Sequence, residues 1–208
     1  SRLIIHEAIH DEFLERLVTA TIALKLGNGL DESVDVGPVI NEGARKKIHR
    51  YVQIGKQEGA KLVLGGEYAN GGNLDNGTFY QPTIFTDVVP GMKIHDEEIF
   101  GPVLSVMKAR DLSEAVELLN ATDYGLSSSI YTRDVNAAFT AMRDIQAGIT
   151  YINGPTIGAE CHMPFGGVKN TGNGHREGGA AVYEFFSELK TVYVDYSGKL
   201  QRAQIDNR

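Results

Sequence analysis

The chain has 208 residues, of which 42% are hydrophobic and 23% charged, an ordinary balance for a soluble globular protein with a core of its own. The formal net charge of -7 argues against nucleic acid as a partner. No apolar run approaches the roughly 20 residues needed to span a bilayer, so we expect no membrane insertion. The single cysteine excludes an internal disulfide framework and predicts a reducing, cytoplasmic setting.

The first half of the chain alternates short apolar runs with longer segments of helical periodicity. Gly27 ends the first helical segment and Gly59 closes the second. Pro82 interrupts a later β segment, which we therefore expect at an edge or at the entry of a sheet. The predicted elements are a strand at 3–5, a helix at about 8–26, a helix at about 42–58, a strand at 61–64 and the β segment at 79–85.

The second half repeats this alternation with clearer cap residues. Ser113 and Asp134 each precede a helical segment as candidate N-caps. The predicted elements are strands at 103–107, 126–131 and 149–153, helices at 114–121, 135–144 and 178–186, and an exposed, alternating strand at 190–195. The inner face predicted for the helix at 135–144 consists of Val135, Ala138, Phe139 and Met142.

The order of these elements predicts an α/β fold. Strands that alternate with capped helices form a parallel or mixed sheet flanked by helices on both faces. A loop of about 20 residues, from 154 to 173, interrupts the pattern, and loops of that length usually carry function.

The most informative stretch is 97–102, where two glutamates, an Ile-Phe pair and a Gly-Pro break precede an apolar strand. A carboxylate placed just before a strand, in a loop constrained by Gly and Pro, can accept hydrogen bonds from the hydroxyls of a ribose. The alternative is a solvated acidic loop.

Five blocks of the sequence together resemble the NAD(P)-dependent aldehyde dehydrogenase superfamily. The first is the stretch at 97–102, which is similar to the family signature EEIFGP. The segment 164–177 resembles the family's PFGGxKxSGxGRE pattern, and the opening residues 1–7 resemble the stretch that follows the nucleophilic cysteine. Residues 35–38 and 57–61 supply the other two matches, so the resemblance covers essentially the whole chain.

The resemblance implies an incomplete aldehyde dehydrogenase catalytic domain at 1–187 and an oligomerisation strand with a tail at 188–208. It implies NAD or NADP as cofactor, an aldehyde as substrate, and a homodimer or homotetramer in which the final strand pairs with a neighbour. The family nucleophile lies about four residues before Ser1, so we expect no catalytic residue in this chain and no turnover by it alone. The alternative is a truncated, non-catalytic oligomerisation or scaffolding protein.

The resemblance also assigns binding roles. Glu98 matches the carboxylate that binds the nicotinamide-side ribose, and Phe100 matches an aromatic packed against the cofactor; the alternative for Phe100 is core packing. Phe165 matches an aromatic at the mouth of the aldehyde pocket. The weaker candidates for the distal end of the substrate are Gly158, Ala159 and Glu160. The Gly-Ala turn resembles one that offers backbone N–H groups to the carboxylate of a semialdehyde, whereas Glu160 could instead bind a substrate amino group. The plainer alternative is a loop with an exposed glutamate.

Three further candidates receive the plainer interpretation. Cys161 is expected to be a small pocket-lining or packed residue rather than the nucleophile. Lys47 is expected to be a solvated residue on a basic helical face, although it could approach the cofactor. Neither His95-Asp96 nor Cys161-His162 has a second half-site at a zinc-like spacing, so we expect no metal.

Overall fold

A computed structural model describes residues 1–158 and 160–199. It confirms the α/β fold with a mixed sheet. The central sheet has the strand order β1-β4-β3-β2, in which β1, β4 and β3 are parallel and β2 is antiparallel to β3. Its strands are β1 (Arg2–His6), β2 (Lys61–Leu64), β3 (Thr83–Thr86) and β4 (Val103–Ala109).

Helices cover both faces of this sheet. The helix α1 (Glu7–Ile22) packs on one face, and α2 (Glu42–Gln57) and α4 (Leu112–Asn120) pack on the other. Because successive side chains of a strand point to opposite faces, β4 supplies both cores: Met107 packs on the α2 side and Val106 on the α1 side. The predicted coverage of both faces is therefore confirmed.

Of the two positions predicted for the β segment around Pro82, the sheet edge is wrong, whereas Pro82 does stand at the entry of a strand. β3 is an inner strand that lies between β4 and β2. Pro82 comes just before the strand begins, so its missing N–H removes no hydrogen bond from the sheet. The first residue of the strand, Thr83, donates its N–H to the carbonyl of Pro102 at 2.8 Å.

Two helix ends also differ from the prediction. Asp111, not Ser113, caps α4, because its carboxylate accepts the N–H of Glu114 at 2.9 Å. α1 ends at Ile22 rather than near 26. The next residues leave the helix because Leu26 forms a parallel bridge with Val36.

The remaining elements form two small strand pairs and short helices. These elements are a 3₁₀ helix (Gly72–Asn76), α3 (Lys93–Asp96), β5 (Tyr124–Gly125), β6 (Ser127–Ile130), α5 (Val135–Asp144), β7 (Ile149–Ile152), β8 (Val168–Lys169) and α6 (Ala181–Phe186). β5 pairs with β8 in antiparallel fashion, and β6 pairs with β7 in parallel. As predicted, Asp134 caps α5, accepting the N–H of Asn136 at 2.8 Å.

The predicted inner face of α5 is not an inner face in this chain. Val135, Phe139 and Met142 expose 62%, 65% and 54% of their surface, and Ala141 is the buried residue of the helix. The apolar stripe is present in the sequence, but the described part of the chain brings no element against it.

The end of the chain forms neither helix nor strand from 187 to 199, and Val192, Tyr193 and Val194 are exposed there. Pairing of this segment with a neighbouring subunit therefore stays a prediction, and residues 200–208 of the predicted tail lie outside the described residues. Among the described helices, none is long and apolar enough to cross a membrane.

Candidate functional site

The predicted ribose-binding stretch forms a protruding loop, residues 97–101, which we call the carboxylate loop. It follows α3 and leads into β4. Ile99 is buried in the core and anchors the loop. Phe100 exposes 81% of its surface and has a φ of 55°, in the left-handed region that non-glycine residues rarely adopt. Phe100 therefore does not pack in the core, and its ring is available to a ligand.

Glycine is required at the C-terminal side of the carboxylate loop. A Cβ atom on Gly101 would lie 2.5 Å from the side chain of Ile48, a fully buried residue of α2. The loop can thus approach α2 closely only because residue 101 has no side chain.

Helix α2 holds the carboxylate loop from one side. Lys47 donates from Nζ to the carbonyl oxygen of Glu98 at 3.2 Å. One helical turn later, the Tyr51 hydroxyl donates to Oε2 of Glu97 at 2.5 Å, and Nζ of Lys47 lies 5.7 Å from the centre of the Tyr51 ring. Glu97 is therefore occupied by the protein, whereas the exposed carboxylate of Glu98 remains available.

These contacts attach Lys47 to the carboxylate loop. The expectation of a purely solvated lysine is wrong, because its ammonium group contacts the backbone of the carboxylate loop. The sequence carried a signal for this: Lys47 and Tyr51 are four residues apart and so lie on the same face of α2.

The backbone places the carboxylate loop near the start of β1. The loop leads into β4 at Val103, and the N–H of Ser105 on β4 donates to the carbonyl of Ser1 at 3.1 Å. The carboxylate loop therefore lies beside the segment that enters β1. Separately, the hydrogen bond to Glu97 raises the pKa of the Tyr51 hydroxyl, and partial burial adds to this effect.

The second predicted block forms a loop held by backbone hydrogen bonds. Phe165, half-buried, exchanges two of them with Glu177, at 2.5 and 2.8 Å. Arg176 donates from Nη1 to the carbonyl of Gly167 at 2.7 Å. A Cβ atom on Gly148, just before β7, would lie 1.8 Å from the carbonyl oxygen of Gly166. The backbone around Phe165 is thus packed directly against the start of β7.

The candidates for the distal end of the substrate lie on the surface. Gly158 has a φ of 105° and accepts the Tyr151 hydroxyl at its carbonyl, at 2.5 Å. Glu160 is exposed, and its carbonyl accepts the N–H of Met163 at 2.9 Å. Ala159 lies outside the described residues. Cys161 is a free, exposed thiol, so it is not packed in the core.

Within residues 1–158 and 160–199, no group of three His, Cys, Asp or Glu side chains could hold a metal ion. His95 and Asp96, whose adjacency suggests ligands, instead hydrogen-bond to each other at 2.5 Å.

The comparison with known proteins decides the family. The model of the aldehyde dehydrogenase family matches residues 1–192. The chain belongs to the aldehyde dehydrogenase family. The resemblance of the five sequence blocks is therefore confirmed, and the carboxylate loop and the Phe165 loop are parts of an aldehyde dehydrogenase fold.

Curated relatives fall into two groups by name. The chain is 43% identical over 194 residues to 2,5-dioxopentanoate dehydrogenase of Saccharolobus solfataricus, covering 93% of this chain and 40% of that protein. It is 38% identical to alpha-ketoglutaric semialdehyde dehydrogenase of Bacillus subtilis, with the same two coverages. It is 39% identical to betaine aldehyde dehydrogenase of Mesorhizobium japonicum, covering 94% and 40%. The chain thus spans about 40% of the length of these relatives.

Solved structures agree with the family. An NAD-dependent aldehyde dehydrogenase from Sinorhizobium meliloti superposes with a TM-score of 0.90 at 38% identity, over 97% of this chain and 39% of that one. Betaine aldehyde dehydrogenase from Staphylococcus aureus in complex with NAD+ gives a TM-score of 0.86 at 34% identity, over 89% and 37%. The fold of this aldehyde dehydrogenase chain therefore corresponds to about two fifths of each of these enzymes.

Proposed function

We propose that the chain is the C-terminal part of an NAD(P)-dependent aldehyde dehydrogenase that oxidises an aldehyde to a carboxylic acid. The observation that carries this proposal is the carboxylate loop. Lys47 and Tyr51 hold its backbone and Glu97, while the carboxylate of Glu98 stays exposed. A carboxylate fixed in this way can accept both hydroxyls of the nicotinamide-side ribose.

The residues of the loop fit a nicotinamide cofactor, which accepts a hydride when bound. Glu98 would hold the ribose through two hydrogen bonds, and the exposed ring of Phe100 would pack beside it. Lys47 adds a positive charge next to the same backbone. The residue that would contact the adenine-side ribose, and so distinguish NAD from NADP, is not among these residues.

In the proposed reaction, a cysteine thiolate upstream of Ser1 attacks the aldehyde carbon and forms a thiohemiacetal. A bound NAD(P)+ would supply the oxidant by accepting the hydride from that carbon, and hydrolysis of the resulting thioester by water would give the carboxylic acid and free the thiol. Phe165 contributes to the aldehyde pocket in this scheme. Neither the nucleophile nor the general base is assigned to this chain, so we expect the 208 residues alone to be inactive.

For the substrate, we propose a semialdehyde that carries a distal carboxylate. Two of the relatives named above are semialdehyde or dioxo-acid dehydrogenases. The backbone N–H at Gly158 would donate to that carboxylate, and the positive φ of Gly158, 105°, supports a turn there. The same role for Ala159 stays a prediction, because Ala159 lies outside the described residues. The exposed Glu160 instead favours a substrate with a cationic end, as in the betaine aldehyde dehydrogenases.

The proposal is tested with the full-length protein that contains these residues, assayed with NAD+ and NADP+. Glu98→Ala should lower kcat/KM for the cofactor by about 10- to 100-fold, since a hydrogen bond to a charged group is worth about 1.5–3 kcal/mol. Glu15→Ala, an exposed carboxylate of α1, is the matched control and should leave kinetics unchanged. Unchanged kcat and unchanged cofactor affinity in Glu98→Ala would contradict the role of Glu98.

The same assay separates the substrate classes and the non-catalytic alternative. A panel of α-ketoglutarate semialdehyde, betaine aldehyde and an uncharged aldehyde of similar length should show the highest kcat/KM for the first. A preference for betaine aldehyde would instead indicate that Glu160 binds the distal, cationic end of the substrate. Absence of turnover with every aldehyde and both cofactors would favour a scaffolding protein.

We also propose that residues 188–208 pair with a second copy of the chain in a homodimer or homotetramer. The exposed, alternating segment around Val192 and Val194 supports this, because an unpaired strand edge is satisfied by strand addition. Deletion of 188–208 should reduce the molar mass measured by light scattering to that of a monomer; an unchanged mass would contradict the assignment. The free thiol of Cys161 supports a cytoplasmic location.

A further inference from the structure

The short helix α3, which leads into the carboxylate loop, carries a buried histidine with two polar partners. The side chain of His95 is 0% exposed, although it is a titratable group. Its Nδ1 lies 2.5 Å from Oδ1 of Asp96, and its Nε2 lies 3.3 Å from Nη1 of Arg2. Buried polar groups are retained when their hydrogen bonds are satisfied, and both ring nitrogens of His95 have a partner.

We propose that His95 is a positioning residue that fixes the carboxylate loop to the first residues of β1. The structural part of this inference stands on the contacts of His95 alone. Its consequence for cofactor binding rests on the proposed function of Glu98.

The hydrogen-bond directions follow from the chemistry of the partners. A guanidinium group has donors and no acceptor, so Arg2 donates and Nε2 of His95 accepts. The hydrogen of the neutral ring is therefore on Nδ1, which donates to the carboxylate of Asp96. His95 thus links the guanidinium of Arg2 on β1 to the carboxylate of Asp96 at the end of α3. Because Nε2 accepts from Arg2, Nδ1 must be the nitrogen that donates to Asp96.

The guanidinium group of Arg2 also contacts α4. Its Nη1 donates to the carbonyl of Leu118 at 3.1 Å, and its Nη2 donates to the carbonyl of Leu119 at 3.0 Å. These carbonyls belong to the last turn of α4, where the partial negative charge of the helix favours a cation. Burial lowers the pKa of Arg2, and the Asp96 carboxylate acts in the opposite direction. Arg2 is therefore a fixed point to which His95 attaches α3.

A second contact fixes α3 to the next strand. The Ser105 hydroxyl, which is buried on β4, donates to the carbonyl of Ile94 at 2.8 Å. Residues 94 and 95 are thus tied to β4 and β1, the two neighbouring parallel strands. Glu97 and Glu98 follow within three residues, so a displacement of His95 moves the carboxylate of Glu98 relative to β1.

The chain offers a matched control in His10. It is also buried, at 2% exposure, and its Nδ1 lies 2.7 Å from the carboxylate of the next residue, Asp11. Its Nε2 lies 3.4 Å from the Thr86 hydroxyl. His10 belongs to α1 and is remote in the fold from the carboxylate loop, so its loss should cost stability without displacing Glu98.

The experiment compares four variants in the full-length protein. His95→Gln keeps an acceptor near the place of Nε2, whereas His95→Asn keeps only a donor near the place of Nδ1. His95→Ala keeps neither, and His10→Ala is the control. We expect His95→Ala and His95→Asn to raise the KM for NAD+ at least about fivefold, the equivalent of one lost hydrogen bond. His95→Gln should restore most of the affinity, and His10→Ala should stay within about twofold of the wild type.

Hydrogen exchange of the backbone amides at 95–97, which donate to the carbonyls of Met92 and Lys93 just before the carboxylate loop, supplies a readout that needs no cofactor. These amides should exchange faster in His95→Ala than in the wild type or in His10→Ala, at equal global stability set by denaturant. Equal exchange in all three proteins would overturn the inference, as would a KM for NAD+ that changes equally in His95→Ala and His10→Ala. If the wild type fails to bind NAD+ or NADP+, the proposed function fails, and the exchange result still decides whether His95 holds the loop.

Discussion

The two halves of the molecule differ in how they bury apolar surface. Residues 1–120, which we call the sheet region, sandwich a four-stranded sheet between helices, and Ile48, Phe85 and Val106 are fully buried there. Residues 121–199, which we call the strand-pair region, contain two separate strand pairs. In the described part of that region, Ala141 is the one hydrophobic residue that is buried.

This difference in apolar burial determines which contacts hold each candidate site in place. The carboxylate loop is attached to a packed core through Ile99 and to α2 and β1 through polar contacts. The Phe165 loop is held mainly by backbone hydrogen bonds and by close backbone packing at Gly148. The exposed apolar stripe of α5 is a surface that a core or a partner normally covers. The sheet region therefore has its own hydrophobic core, whereas the strand-pair region depends on surfaces beyond its own core.

The largest effect is expected on the free energy of unfolding when a large apolar side chain is truncated in each of the two regions. Phe85→Ala in the sheet region should lower the free energy of unfolding by about 3–5 kcal/mol, because it leaves a cavity in a fully buried site. Phe139→Ala on α5 should change it by no more than about 0.5 kcal/mol, since that side chain is 65% exposed. Urea unfolding of the 208-residue chain provides the measurement. Similar losses in the two variants would contradict the contrast between the regions.

A smaller effect is expected where the strand-pair region is held by its backbone. Gly148→Ala should cost at least about 1–3 kcal/mol, since the new Cβ would meet the Gly166 carbonyl and force the Phe165 loop to move. Gly154→Ala is the control, because the nearest atom to its Cβ would be 3.8 Å away. Thermal unfolding should show a lower Tm for the first variant alone. An unchanged Tm in Gly148→Ala would show that the close packing of this loop is not required.

The smallest effect concerns pH and the contact between Tyr51 and Glu97. The folded-state pKa of Tyr51 is raised, so the stability that this contact contributes is present below the ordinary tyrosine pKa of about 10 and is lost as the pH rises through the folded-state value. Ultraviolet titration should show Tyr51 ionising later than the exposed tyrosines, in addition to Tyr80, whose pKa is raised by burial. The delayed ionisation of Tyr51 should disappear in Tyr51→Phe and shift to lower pH in Glu97→Gln. A wild-type titration curve identical in shape to that of Tyr51→Phe would remove the contact from the account.

Local signals in the sequence predicted many elements correctly. α2 begins after Asn41, whose side chain accepts the N–H of Ala44, and it ends within a residue of the predicted boundary. The strand at 61–64 and the Asp134 cap agree with the structure for the same reason: turn and cap residues act over a few neighbours.

Apart from the cap of α4, which Asp111 supplies within three residues, the failed predictions depended on tertiary context. Pro82 does not mark an edge strand, because it sits one residue before β3 and leaves the ladder intact. The apolar spacing of α5 predicted which residues share a face, but not whether anything covers that face. At the site, the motif indicated Glu98 and Phe100. Two further sets of contacts, those of Lys47 and Tyr51 with the carboxylate loop and that of His95 with Arg2, join residues at least 46 positions apart. These contacts could not be predicted from the spacing of residues in the sequence.

We propose that Glu98 binds the ribose of a nicotinamide cofactor from a loop fixed to the sheet region. The most direct measurement is a structure of the full-length protein in complex with NAD+. We expect the Glu98 carboxylate to lie within hydrogen-bond distance, about 2.5–3.0 Å, of the hydroxyls of the nicotinamide-side ribose. A bound NAD+ whose ribose makes no contact with Glu98 would contradict it.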